Sequence, residues 1–148
     1  MSVSSLGNTF VAGLHREVLK PRGFLKKART FTRAHDDFIE AVQVEGSNWN
    51  SGAEPWSFYV NVLVSFPESP YREFGVGPKY HGCGRLDRIV PDTPPIFDLT
   101  TSNMNDLLIG VGQFIADASK RLPGLLAPVR ERARSGLLSF LPVPTPDL

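Results

Sequence analysis

Residues 56–66 have the sequence WSFYVNVLVSF, and this stretch decides the fold of the chain. Every second residue from Trp56 to Phe66 is large and apolar. A period of two is typical of a β-strand, because successive side chains of a strand point to opposite faces of the sheet. The stretch therefore predicts a central strand with six side chains in the core: Trp56, Phe58, Val60, Val62, Val64 and Phe66.

A β-hairpin is predicted before this central strand. Residues 28–34 and 38–45 are both compatible with strands, and the short polar link His35-Asp36-Asp37 joins them. Phe38, Val42 and Val44 lie on one side of the second strand, but Glu40 interrupts that apolar side. The pattern therefore predicts a paired strand with one acidic residue among core positions.

Two loops and two weaker strands are predicted in the remaining middle part of the chain. Residues 46–55 form a polar loop, and residues 67–84 form a longer connection rich in proline and glycine. An irregular connection of that length is often functional. A short strand is predicted over residues 85–90, and an edge strand is predicted over residues 96–99.

Three helices are predicted around the strands. Apolar residues recur every four positions in residues 5–20, and Pro21 ends that helix. Residues 103–121 show the spacing of three and four that an amphipathic helix requires. A third helix is predicted over residues 125–140.

This order of elements predicts the α+β class. Strands that short links join are antiparallel by default. We therefore expect a mostly antiparallel sheet of three to five strands, with the N-terminal helix and the two C-terminal helices packed on one face. Residues 1–141 are expected to form a single domain, and residues 142–148 an extended, proline-rich tail.

The composition excludes several classes of protein. The 148 residues carry a net charge of +1, so the chain as a whole has no electrostatic affinity for nucleic acid. The single cysteine, Cys83, excludes an internal disulfide and a cysteine-only metal site. No apolar stretch of membrane length and no signal peptide is found, so we expect a cytoplasmic protein without a membrane partner, a metal or a cofactor.

Aromatic residues in predicted loops are the first candidates for a binding surface. Trp49 lies in the polar loop, and Tyr71, Phe74 and Tyr80 lie in the longer connection. Aromatic side chains on loops commonly anchor protein interfaces. Arg85, which directly follows that connection, is included as a binding residue.

A basic segment is the second candidate surface. Residues 14–35 carry seven basic side chains against the one acid Glu17, and within residues 20–33 the cations Lys26, Lys27 and Arg29 are suited to phosphate contacts. Aromatic side chains beside them would stack on bases.

One alternation complicates that interpretation. Arg29, Phe31 and Arg33 occupy every second position of a predicted strand, so a buried Phe31 would place two arginines on the core side. A charged, solvated strand edge is the simpler interpretation of the segment.

An enzymatic alternative uses residues 67–92. A cysteine nucleophile needs a nearby base or cation, and His81, Cys83 and Arg85 would share one side of an extended segment. A small hydrolase or transferase of this kind requires His81, Cys83, Arg85 and Asp87 to converge in one pocket. No catalytic residue is assigned, because no known catalytic spacing surrounds these four.

Several short segments follow one another in a recognisable order: Gly23-Phe24, RTFTR at 29–33, FIEAVQV at 38–44, FYVNV at 58–62 and Gly84-Arg85-Leu86. This series resembles the DUF4304 family of bacterial proteins over about residues 5–140. Ile96-Phe97-Asp98-Leu99 stands where that family often has paired tryptophans. The resemblance implies no catalytic residues, and it implies an association with immunity or defence.

These observations together predict a non-enzymatic binding protein that engages a protein partner, and the candidate partner class is a toxin or another defence component. The alternatives are the small hydrolase or transferase that uses residues 67–92 and nucleic-acid binding through residues 20–33. The sequence leaves the oligomeric state open.

Overall fold

One seven-stranded sheet organises the computed structural model, which describes residues 3–71 and 79–144. The strands are β1 (Leu25–Lys27), β2 (Thr30–Ala34), β3 (Ile39–Gly46), β4 (Trp56–Ser65), β5 (Gly82–Arg85), β6 (Phe97–Leu99) and β7 (Ser139–Phe140). Their order is β1-β2-β3-β4-β5-β7, and β6 pairs with the first residues of β4. All pairs are antiparallel except β5 with β7, which is parallel. The mostly antiparallel sheet is confirmed, with more strands than the three to five predicted.

The helices flank this sheet in chain order. They are α1 (Val3–Leu14), α2 (Leu86–Ile89), α3 (Met104–Arg121) and α4 (Leu126–Ala133). A π-helical turn over His15–Leu19 and a 3-10 turn over Lys20–Arg22 continue α1, and Gly23 then ends the run with a φ of 91°. No helix in the described part of the chain is long and apolar enough to cross a membrane.

The core lies between one face of the sheet and the helices. All six alternating side chains of residues 56–66 are buried, as predicted: Trp56, Phe58, Val60, Val62, Val64 and Phe66. Phe10 of α1 contacts Phe58 with ring centroids 5.0 Å apart, and Phe114 of α3 contacts Phe97 at 6.3 Å. Full burial of a large apolar side chain stabilises a fold by about 1.5–3 kcal/mol. This strand therefore contributes a large share of the core.

The prediction of a strand over residues 85–90 is wrong for most of its length. Arg85 is the last residue of β5, and residues Leu86–Ile89 form the short helix α2. Leu86 and Ile89 are both buried, and a spacing of three places them on the same side of a helical turn. The first three residues of β5, 82–84, lie in the connection that was predicted to be irregular.

The prediction of a helix over residues 125–140 is also wrong at its end. Helix α4 ends at Ala133, and Gly136 adopts a positive φ of 71°. That conformation favours glycine and interrupts a right-handed helix. The chain then turns back, and Ser139–Phe140 forms β7 beside β5.

Candidate functional site

The sheet has a second face, which points away from the helices and which we call the open face. Strand pairing aligns Gln43 of β3, Asn61 of β4 and Arg85 of β5 in one row across it. The next row contains Ala41, Leu63, Cys83 and Phe140. These residues alternate with core residues such as Val62 and Val64, so they share the opposite side of the sheet.

A cleft of about 870 Å³ lies on the open face between these rows and the C-terminal segment. Its volume is within the range of about 300–1,000 Å³ that is usual for ligand sites. We call it the Arg85 cleft. Its lining residues are Gln43, Glu45, Asn61, Leu63, Tyr80, Cys83, Gly84, Arg85, Arg88, Phe140, Leu141, Pro142 and Pro144.

Arg85 is held in the cleft by a stacking contact and by a weak ion pair. Its guanidinium carbon lies 3.8 Å from the centre of the Tyr59 ring. Its Nη1 lies 3.9 Å from Oε2 of Glu45, which is too far for a hydrogen bond. The Nη1 atom is buried and has no hydrogen-bond partner among the described residues. The Arg85 side chain as a whole is 42% exposed, so its remaining part is accessible from the cleft.

The polar groups next to Arg85 are already engaged with one another. The side-chain amide of Asn61 donates to Oε2 of Glu45 at 2.9 Å and to Oε1 of Gln43 at 3.2 Å. Because Gln43 uses its oxygen in this contact, its amide NH₂ remains as a donor at the cleft. The arrangement is suited to a ligand that accepts hydrogen bonds.

Cys83 lies half-buried in the same cleft. Burial raises the pKa of the Cys83 thiol above its ordinary value, the positive charge of Arg85 opposes this rise, and the negative charge of Glu45 adds to it. Burial also raises the pKa of the neighbouring Tyr80, with a further contribution from Cys83. Both groups are therefore protonated at neutral pH, and Cys83 is a thiol rather than the thiolate that nucleophilic catalysis requires.

His81 does not turn toward Cys83. Its Nδ1 accepts a hydrogen bond from the Phe66 backbone N–H at 3.0 Å, and its Nε2 contacts the Pro70 carbonyl oxygen at 2.9 Å. The ring also stacks on Tyr71, with centroids 4.2 Å apart. Both nitrogens are thus committed to the backbone, and His81 holds the segment before β5 in place.

Of the four residues that the enzymatic alternative brings together, the structure places two in one site. Cys83 and Arg85 line the cleft, whereas the described lining contains neither His81 nor Asp87. Asp87 lies in the first turn of α2. In the described ranges no group of three His, Cys, Asp or Glu side chains is arranged to hold a metal ion.

The aromatic residues selected from the sequence lie at several places. Tyr80 lines the Arg85 cleft, Tyr71 covers His81, and Trp49 is 91% exposed in the loop between β3 and β4. Trp49 shares a cavity of about 300 Å³ with Tyr59 of the open face. Phe74 lies outside the described residues.

The basic segment contains exposed lysines at positions 26 and 27 and engaged arginines at positions 29 and 33. Lys26 and Lys27 are exposed on the edge strand β1. Arg29 donates to Oδ1 of Asn8 at 3.0 Å and lies over the Trp56 ring at 4.8 Å. Arg29 and Arg33 lie on the core side of the sheet with the buried Phe31, as the alternation in the sequence indicated. They therefore cover the edge of the core and are not free cations.

The sequence did not single out several residues of the cleft. Gln43, Glu45 and Asn61 surround Arg85, and Phe140 forms a wall that was predicted as part of a helix. The alternation of residues 56–66 placed Asn61 on the face opposite the core, which was the one available signal. Strand register, which brings Gln43 and Arg85 beside it, is not visible in the sequence.

Comparison with known proteins identifies a family. The family described as "Domain of unknown function (DUF4304)" matches residues 15–120. No curated protein matches the chain. No solved structure matches it.

Proposed function

The chain belongs to the DUF4304 family, and from that premise we propose that it is a non-enzymatic binding protein that engages a protein partner through its open face. The partner class that we propose is a toxin or another defence component. This class rests on the family resemblance, while the surface rests on the structure.

The observation that carries this proposal is the distribution of exposed apolar side chains. Among the described residues, the exposed large apolar side chains are Leu25 (74%), Trp49 (91%), Ile109 (58%) and Phe140 (74%). Leu25 and Phe140 lie at the two edges of the open face, and Trp49 adjoins it through Tyr59. Exposed aromatic and aliphatic side chains around one surface are typical of interface anchors.

Two features support binding over catalysis. The pKa of Cys83 is raised by burial, and the two ring nitrogens of His81 bond to backbone groups. A hydrolase or transferase that used Cys83 would need another base within hydrogen-bond reach of the thiol. We therefore rank the small hydrolase or transferase below a binding function.

Nucleic-acid binding through residues 20–33 is the second alternative. The exposure of Lys26 and Lys27 favours it, and the engagement of Arg29 and Arg33 weakens it. It predicts retention on heparin that falls with salt and disappears when Lys26, Lys27 and Arg29 become alanine. Equal retention of the wild type and this variant would eliminate it.

Site-specific photo-crosslinking in a native lysate tests the proposed function. A benzoylphenylalanine replaces Phe140 or Trp49 in two samples, and it replaces Ile109 on the outer side of α3 in a matched control. We expect the same protein adduct from the first two positions and none from the control. Absence of an adduct at Phe140 and Trp49, or equal adducts at all three positions, would overturn the proposal.

A further inference from the structure

The Arg85 cleft combines a partly exposed cation with apolar walls. The Arg85 side chain is 42% exposed, although its Nη1 atom is buried without a hydrogen-bond partner among the described residues. A ligand in the cleft can therefore reach the exposed part of this side chain. Phe140, which is 74% exposed, and Pro144 supply apolar surface in the same cleft. A ligand that supplies an acceptor to Arg85 and an apolar group to these walls would fit both properties.

The guanidinium is also preorganised. Its guanidinium carbon lies over the Tyr59 ring, 3.8 Å from the ring centre, and this contact restricts the side chain. A restricted guanidinium group loses less side-chain entropy when it forms two parallel hydrogen bonds to a carboxylate. The geometry of Arg85 therefore favours a planar anion over a neutral acceptor.

The charge of the cleft is complementary to a single anion. Its charged lining residues are Arg85, Arg88 and Glu45, which give two positive charges against one negative charge. Glu45 is bound by Asn61, and its carboxylate lies 3.9 Å from Nη1 of Arg85. One added carboxylate would make the charges balance.

We propose that the Arg85 cleft binds a carboxylate that the protein partner carries next to an apolar side chain. This inference rests on the proposed function, because it names the group that the partner inserts into the open face. The carboxylate hydrogen-bonds to Arg85, the NH₂ of Gln43 adds a second donor, and the apolar side chain packs on Phe140 and Pro144.

Titration of the ¹⁵N-labelled full chain, followed by NMR, tests this inference. The probe is N-acetylphenylalanine, which carries a carboxylate and an aromatic ring, and its matched control is N-acetylphenylalaninamide. We expect the acid to shift the amide signals of Asn61, Cys83 and Arg85 and to bind at least about tenfold more tightly than the amide, since hydrogen bonds to charged groups are stronger than neutral ones.

Two variants show whether Arg85 is responsible. Arg85→Gln should remove the preference for the acid, while Arg134→Gln, an exposed arginine outside the cleft, should retain it. Signal dispersion in both spectra checks that the variants fold. Equal binding of acid and amide, a preference that survives Arg85→Gln, or shifts that spare β4 and β5 would overturn the inference.

The two experiments fail independently. A shared crosslink at Phe140 and Trp49 without a preference for the acid would retain the protein partner and overturn the carboxylate contact. A preference for the acid without any crosslink would retain the anion site and overturn the protein-binding function on which this inference rests.

Discussion

Arg33 and Glu40 lie directly opposite each other on β2 and β3, and Nη2 of Arg33 is 2.8 Å from Oε1 of Glu40. Both side chains point to the helix side of the sheet, where Glu40 is 1% exposed. His35 and Ser119 of α3 also hydrogen-bond to this carboxylate. An acid at a core position is therefore satisfied from β2, from the hairpin turn and from α3.

Replacement of Glu40 by alanine should lower the free energy of unfolding by about 2–3 kcal/mol. Loss of one partner of a buried ion pair costs about 3–5 kcal/mol, and the partial exposure of Arg33 reduces that cost. Urea unfolding followed by circular dichroism measures the change.

Glu17→Ala provides the control for this variant. Its ion pair with Arg16 lies on the surface, with both side chains more than half exposed, so the expected change is about 0–1 kcal/mol. Equal destabilisation by the two variants would contradict the role assigned to Glu40.

The contribution of Glu40 to stability should disappear in acid. Burial raises the pKa of Glu40, but hydrogen bonds from Ser119, His35 and Arg33 together with the charge of Arg33 outweigh burial and hold it below its ordinary value of 4.5. A carboxyl whose folded-state pKa is depressed stabilises the fold above its ordinary pKa, and this stabilisation is lost as the pH falls through the folded-state value.

The measurement compares the wild type with Glu40→Gln in urea unfolding from pH 7 to pH 3. The gap in unfolding free energy between them should be largest near neutral pH and should narrow below about pH 4.5. A gap that stays constant over this range would show that the charge of Glu40 is not what stabilises the protein.

Alkylation of Cys83 by iodoacetamide should be slow at pH 7–8 and should increase with pH. Burial raises the pKa of this thiol, and the thiolate is the reactive form. Charge variants should shift the rate in opposite directions. Arg85→Gln removes a cation that lowers the pKa and should slow the reaction, whereas Glu45→Gln removes an anion that raises it and should accelerate the reaction.

Mass spectrometry of quenched samples gives these rates, and the urea-unfolded chain provides the reference for a free thiol. Rapid labelling of the folded protein at pH 7, comparable to that reference, would contradict the environment described for Cys83. Changes of the same sign in both charge variants would show that access, rather than pKa, controls the reaction.

Gly84→Ala should destabilise the protein by about 2 kcal/mol or more. A methyl group at Gly84 would overlap the carbonyl oxygen of Leu141, so one of the two backbone segments must move. Gly110→Ala is the matched control, because open space surrounds Gly110 in α3. Alanine in a helix is favoured over glycine by about 0.5–1 kcal/mol, so the control should raise the melting temperature while Gly84→Ala lowers it.

Local patterns predicted the parts of the fold that local physics controls. The alternation in residues 56–66 predicted the central strand and its buried face, and the spacing in residues 103–121 predicted α3. The strand β7 has two residues and pairs in parallel with β5, so only tertiary contacts could reveal it. Short-range periodicity carries no information about such a pairing.

The candidate site, like the fold, could be predicted only where local sequence patterns control it. Arg85 was selected from the sequence, but its surroundings depend on the register that places Asn61 opposite it and Gln43 beyond. Glu40 broke the apolar pattern of its strand, and only the positions of Arg33 and Ser119 explain how the fold accommodates it. Side-chain environments that several strands build together are set by long-range pairing.

The position of β7 has a consequence for the colloidal behaviour of the molecule. The backbone N–H groups of Ser139 and Leu141 donate to the carbonyl groups of His81 and Cys83. Without these two residues, β5 would be a bare sheet margin with free backbone acceptors. Such margins recruit strands from other copies of a chain and seed insoluble assemblies. This segment, whose Phe140 and Leu141 also line the Arg85 cleft, thus shields the protein from self-association, and a disruptive substitution there should cause precipitation.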